Sequence, residues 1–111
     1  MFSGGGGILS FIQHVSGICD EIYAFDVSKY STINIGNIRL NGSDGRIKRI
    51  TFQVDLNDAQ TVIYQQENKK GIVEYNNVSI DVSEYDTVYM ILYNSSANLK
   101  DGIQFTNLTF N

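Results

Sequence analysis

From Ile18 onward, apolar and polar residues alternate in short runs, broken roughly every 8–12 residues by Gly, Asn, Asp and Ser. That spacing belongs to the strands of a sandwich or barrel. Ile22-Tyr23-Ala24-Phe25 is the first such run. Thr32 to Leu40 is the next, with Ile33 and Ile35 on one parity and Ile38 and Leu40 on the other. A bulge at Gly36-Asn37 would let both pairs face inward. Ile50, Phe52, Val54 and Leu56 alternate with Thr51, Gln53 and Asp55, so this run predicts one dry face and one wet face. Val62 to Gln65, Ile72 to Tyr75 and Val78 to Val82 read as three shorter strands. Val88 to Tyr93 is apolar or aromatic on both parities, which predicts a central strand covered on both sides. The final run, Ile103 to Phe110, changes parity at Thr106-Asn107. No stretch beyond Gly17 sustains a helical period, so residues 18–111 are expected to form an all-β antiparallel sandwich.

The first 17 residues differ. Four glycines, Gly4 to Gly7, precede Ile8, Leu9, Phe11, Ile12 and Val15, whose spacing fits either a short amphipathic helix or a strand ending near Gly17. The run lacks the basic flank of a secretory signal and is too short to span a bilayer. One reading packs it on its own core. The sharper reading makes it an arm in which Phe2, Ile8, Leu9, Phe11, Ile12 and Val15 dock on a neighbouring chain, because each large side chain gains roughly 1.5–3 kcal/mol on burial.

An internal echo bears on the fold. Asp26-Val27-Ser28-Lys29-Tyr30-Ser31-Thr32-Ile33 matches Asp81-Val82-Ser83-Glu84-Tyr85-Asp86-Thr87-Val88, 55 residues later, with Asp, Val, Ser, Tyr and Thr in common. Two related corners are expected, one on each half of the sandwich, with the Asp or Ser side chain capping free amides of the turn. The second copy continues into Tyr89-Met90-Ile91-Leu92-Tyr93. Together with Ile50 to Val54, Val62-Ile63-Tyr64 and the closing Gly102 to Phe110, it resembles galactose-binding-like jelly rolls. These β-sandwich modules accompany glycoside hydrolases and occur in phage fibres. The resemblance covers about residues 18–111 and implies a jelly-roll-like sandwich, with carbohydrate as the implied ligand class. The Asp-Trp pair that often marks the last strand of the sugar-binding modules is missing, because the chain has no Trp.

Composition narrows the chemistry. A formal charge of −4 argues against a protein that tracks a nucleic-acid backbone. With one Cys and one His, a disulfide scaffold, a Cys/His zinc centre and a Ser–His–Asp hydrolase are all disfavoured. Asp55, Asn57 and Asp58 sit together in an expected loop, where a plain polar turn is favoured over a calcium site. Arg46, Lys48 and Arg49 form a basic cluster read as a solvated strand face. Seven tyrosines are the most suggestive functional feature, since an exposed ring offers apolar area and a hydroxyl to sugars or proteins. Tyr64 and Tyr93, each closing a strand at a polar loop, and Asn94 beside Tyr93 are the expected ligand-binding residues.

Asn, Ile, Tyr and Lys make up 37 of the 111 residues and Pro is absent, a bias that points to an AT-rich genome. The expectation is a non-catalytic virion protein made in a host cytoplasm: a fibre, tail or decoration subunit, without metal or cofactor. Its expected partners are copies of itself or other virion proteins, with a cell-surface glycan as receptor. The alternative is a carbohydrate-binding module of a larger bacterial surface or secreted protein.

Overall fold

The computed structural model describes the backbone of residues 2–3, 9–13, 19–94 and 102–111, and the side chains of residues 22–93 and 102–111. The described strands are β1 (Phe2–Ser3), β2 (Leu9–Gln13), β3 (Cys19–Asp26), β4 (Thr32–Gly42) and β5 (Lys48–Gln53). After a single 3₁₀ turn at Ala59–Thr61 come β6 (Val62–Asn68), β7 (Gly71–Asp81), β8 (Thr87–Asn94) and β9 (Ile103–Phe110). They form two sheets, ordered β1-β3-β8-β5-β6 and β2-β9-β4-β7. All described pairings are antiparallel except that of β1 with β3. The protein is an all-β sandwich.

Alternation explains the core. Ile50 and Phe52 of β5 and Val88, Met90 and Leu92 of β8 face Ile33, Ile35, Ile38 and Leu40 of β4 and Ile103, Phe105, Leu108 and Phe110 of β9, all in one buried cluster. The parity changes read from the sequence are real. On β4, Ile35 and Ile38 are both buried although they lie three apart, with Gly36-Asn37 between them. On β9, Asn107 adopts a left-handed backbone (φ 56°), which turns Leu108 inward after Phe105. The expected bulge is not an inserted residue, because β4 keeps one register with β7 and with β9 across Gly36-Asn37. Gly36 instead lies against Asn107, and a Cβ there would come within 3.0 Å of the Asn107 Cβ.

Three further expectations are corrected. Ile72–Tyr75 and Val78–Val82 are not separate strands, because the chain passes through Asn77 (φ 55°) without losing its register on β4, so both runs belong to β7. The alternation of Ile50 to Leu56 stops at Gln53: the chain turns there, leaving Leu56 exposed. Lys48 is not on a solvated face. It shares the inward parity of Ile50, is fully buried, and bonds through Nζ to Asp44 Oδ1 (2.8 Å) and the Arg46 carbonyl (3.0 Å).

The echoed segments are the corners at which the chain crosses between sheets, β3 to β4 and β7 to β8. Asp26 Oδ1 accepts from the Ser28 amide (3.0 Å) and hydroxyl (2.7 Å), and Asp81 Oδ1 accepts from the Ser83 amide (2.9 Å) and hydroxyl (2.7 Å). These bonds favour the charged carboxylate and hold both groups below the ordinary value; the Ser28 hydroxyl is the largest cause at Asp26, and the Ser83 amide at Asp81. The Tyr30 amide donates to the Val27 carbonyl and the Tyr85 amide to the Val82 carbonyl. The corners also bond each other reciprocally. The Val27 amide donates to the Asp86 carbonyl and the Val82 amide to the Ser31 carbonyl, each at 2.8 Å.

The reciprocity extends through the sandwich. The same 55-residue shift carries β2, β3, β4 and β5 onto β6, β7, β8 and β9. It turns the order β3-β8-β5-β6 into β7-β4-β9-β2, which is the other sheet read from its far edge. Registers obey it too: Asp26 pairs Thr87 while Asp81 pairs Thr32, and Thr51 pairs Gln65 while Thr106 pairs Ser10. Apart from β1, the described strands form two four-stranded halves related by a pseudo-two-fold, each giving two strands to each sheet.

The first segment enters this scheme as strands. β2 occupies the position opposite β6 and pairs with β9, and β1 runs along β3, both within this chain. The helical alternative for residues 9–13 is thereby excluded. Ile8 and Val15, and the side chains of Phe2, Leu9, Phe11 and Ile12, lie outside the described residues.

Candidate functional site

With Ile50 and Phe52 turned into the core, β5 presents Arg49, Thr51 and Gln53 on the opposite face of its sheet. β8 places Tyr93, Ile91 and Tyr89 across from these three in order. On the other flank β6 sets Glu67 beside Arg49 and Gln65 beside Thr51. This outer face carries aromatic, amide and guanidinium groups, with one ionic pair. The Arg49 guanidinium lies over the Tyr93 ring, 4.8 Å from its centroid, and Nη1 bonds Glu67 Oε1 at 3.0 Å. Such stacking immobilises both groups and offers a flat edge formed by ring and guanidinium together. The Thr51 hydroxyl donates to Gln65 Oε1 at 3.0 Å.

A hollow of about 500 Å³ opens on this face, lined by Arg49, Thr51, Gln53, Ala59, Val62, Gln65 and Ile91. One wall belongs to the loop from Val54 to Thr61, whose polar groups largely bond each other. Asp55 Oδ1 accepts from the Asn57 amide (2.9 Å) and Asp58 Oδ1 from the Gln60 amide (2.9 Å). The Thr61 hydroxyl reaches the Asp55 and Asp58 carbonyls at 3.2 and 2.6 Å. Gln53 ties this loop to the sheet, its Nε2 donating to the Asp55 carbonyl at 2.9 Å and more weakly to the Asp58 carbonyl at 3.4 Å. The two carboxylates therefore act as turn caps, and among the described residues no His, Cys, Asp and Glu side chains gather as a metal-binding group.

The residues expected to bind ligand separate in space. Tyr93 is on the face with the hollow. Asn94 follows it on β8, its backbone paired with Cys19 and Lys48, and its side chain lies outside the described residues. Tyr64 sits on the opposite side of the sheet, packed edge-on against Phe52 with ring centroids 6.2 Å apart. From the sequence, Arg49 is read only as part of a basic cluster and Thr51 and Gln53 only as a wet strand face, and neither these nor Gln65 and Ile91 are expected at a ligand site. The signal was present in β5, where Arg49-x-Thr51-x-Gln53 is polar at every second position. What alternation does not show is that Thr51 and Gln53 are 4% and 7% exposed, polar groups held in a recess.

A second hollow, about 490 Å³, lies at the first corner and is lined by Ala24, Phe25, Asp26, Ser28, Asp86 and Thr87. Its Asp26 carboxylate already serves the turn. No described helix is long and apolar enough to cross a membrane. In comparisons with protein-family models, curated proteins and solved structures, the chain matches none of them.

Proposed function

We propose that the chain is a non-catalytic recognition domain that holds a carbohydrate on the outer face of β8, β5 and β6, and that it serves a phage particle as a fibre, tail or decoration subunit. The observation that carries the carbohydrate reading is the stacked Arg49–Tyr93 pair beside an open hollow with amide walls. Sugar rings have apolar C–H faces edged by hydroxyls. They suit a site where an aromatic or aliphatic surface adjoins a few fixed donors and acceptors. Ile91 and Val62 supply aliphatic surface, while Gln53, Gln65 and Thr51 supply polar atoms. The AT-rich composition and the likeness of Asp81 to Tyr93 to phage-fibre jelly rolls support the particle setting.

Glycan-array screening of the intact protein tests this reading, with Tyr93→Ala and Tyr64→Ala as paired variants. Binding lost in Tyr93→Ala and retained in folded Tyr64→Ala is expected, since the two rings lie on opposite sides of the sheet. Failure of the wild-type protein to bind any glycan would remove the proposal.

A further inference from the structure

Resting on the carbohydrate reading, we infer that the hollow between β5, β6 and the 54–61 loop binds a neutral sugar unit, whose hydroxyl is donated to Gln53 Oε1. The orientation of the Gln53 amide is fixed by chemistry: the atom facing the Asp55 and Asp58 carbonyls must be the donor nitrogen. Its oxygen is then an acceptor without a hydrogen-bond partner among the described residues, in a side chain that is 7% exposed and lines the hollow. A recessed carbonyl left in this way is satisfied by a donor, and a ligand hydroxyl supplies one.

The rest of the lining extends the recognition. Gln65 gives its Oε1 to the Thr51 hydroxyl, which leaves its Nε2 to donate, and the Thr51 oxygen keeps acceptor capacity. One acceptor and one donor on adjoining strands suit neighbouring sugar hydroxyls, each of which both gives and takes a hydrogen bond. Ile91, Val62 and Ala59 meet the C–H face.

Charge decides against an anionic sugar. Arg49 is the only cationic side chain among the lining residues, and Glu67 already neutralises it at 3.0 Å. A carboxylate or sulfate entering the hollow would face the Gln53 oxygen with no uncompensated positive charge to offset its desolvation.

The test uses the full-length protein, labelled with ¹⁵N and titrated with neutral hexose oligosaccharides and, separately, with uronic-acid oligosaccharides. The side-chain amide signals of Gln53 and Gln65 should shift with the neutral series. Gln65→Ala, an exposed substitution, should weaken that binding by on the order of tenfold. Gln53→Met should weaken it further, and Gln65→Ala keeps the test valid if Gln53→Met does not fold. Neutral-sugar binding that leaves both amide signals in place and survives Gln65→Ala would refute the hollow while leaving carbohydrate recognition intact. Preference for uronic acids that fades with added salt would refute the neutral class. If no saccharide of any kind binds, the carbohydrate reading fails as well.

Discussion

The pseudo-two-fold makes a quantitative demand on the two corners. Val27 and Val82 are equivalent by sequence, both are 0% exposed, and each backbone amide bonds the opposite corner at 2.8 Å. Replacing either by Ala removes two methyl groups from the core and leaves the backbone bonds in place. Transfer alone accounts for roughly 1.6 kcal/mol, at about 0.8 per buried carbon. Incomplete closure of the cavity raises the total to about 2–3 kcal/mol. For a domain of this size that lowers the Tm by on the order of 10 °C or more. The assay is urea denaturation of Val27→Ala and Val82→Ala side by side, read at constant m so that the midpoint shift reports native-state stability. The two losses should agree within about 0.5 kcal/mol, the margin inside which small differences in local packing fall. A full loss at one position with almost none at the other would mean that the corners share a sequence without sharing a structural role.

Three further outcomes follow from the same structure. Because the Asp26 and Asp81 carboxyls are held below their ordinary value of about 3.8, their stabilisation is complete above the unfolded-state value and is lost as pH falls through the folded one. The denaturation midpoint should therefore drop below about pH 4, and less steeply in the Ser28→Ala/Ser83→Ala variant; an unchanged slope would exclude the corners as the cause. A Cβ on Gly42 would lie 2.6 Å from backbone atoms of Lys69 and Lys70, so Gly42→Ala should destabilise by about 1–3 kcal/mol in urea titration. Removing the Asp44 side chain strands the buried Lys48 charge and should cost roughly 2–4 kcal/mol, whereas Lys48→Met, which removes the charge itself, should cost little.

Much of the architecture was readable because a sandwich writes its core as period-two alternation, and the irregular positions left their own trace. Ile35 and Ile38, or Phe105 and Leu108, cannot all be buried on a regular strand, so the parity change implied a local irregularity. The left-handed Asn77 and Asn107 beside Gly36 supply it without an inserted residue in the pairing of β4 with β7 or β9. The continuity of β7 was harder to read. Asn77 lies between two runs that each look complete, and an Asn there signals a turn as readily as a left-handed residue within one strand. Lys48 was misjudged because its charge outweighed its parity, although its place two residues before Ile50 pointed inward. At the candidate site, Tyr93 was visible as an aromatic ending a strand at a polar loop. Its partners were not, since Arg49, Gln53 and Gln65 meet through cross-strand neighbours whose pairing depends on register, and register is set by the whole sheet.

The internal symmetry also indicates where to look for function. Under the 55-residue shift, Arg49, Thr51 and Gln53 correspond to Gln104, Thr106 and Leu108. Thr is kept, as it is at Thr32 and Thr87 in the corners. Gln53 and Leu108, by contrast, end up on opposite faces: the left-handed Asn107 turns Leu108 into the core, whereas Gln53 remains on the outer side and lines the hollow. The loop that walls the hollow follows β5, whereas directly after the equivalent strand β9 the amide and carbonyl of Asn111 bond the β4 backbone at Thr32. Positions that must build the same corner twice are held to the same residues by the geometry of the turn. Where one half departs from the other, folding does not require the departure, and the recessed amide of Gln53 arises at such a place. Among the described residues, the hollow lies on the face where the two halves differ at Gln53 and Leu108, so it is a feature that the shared corners and core do not require.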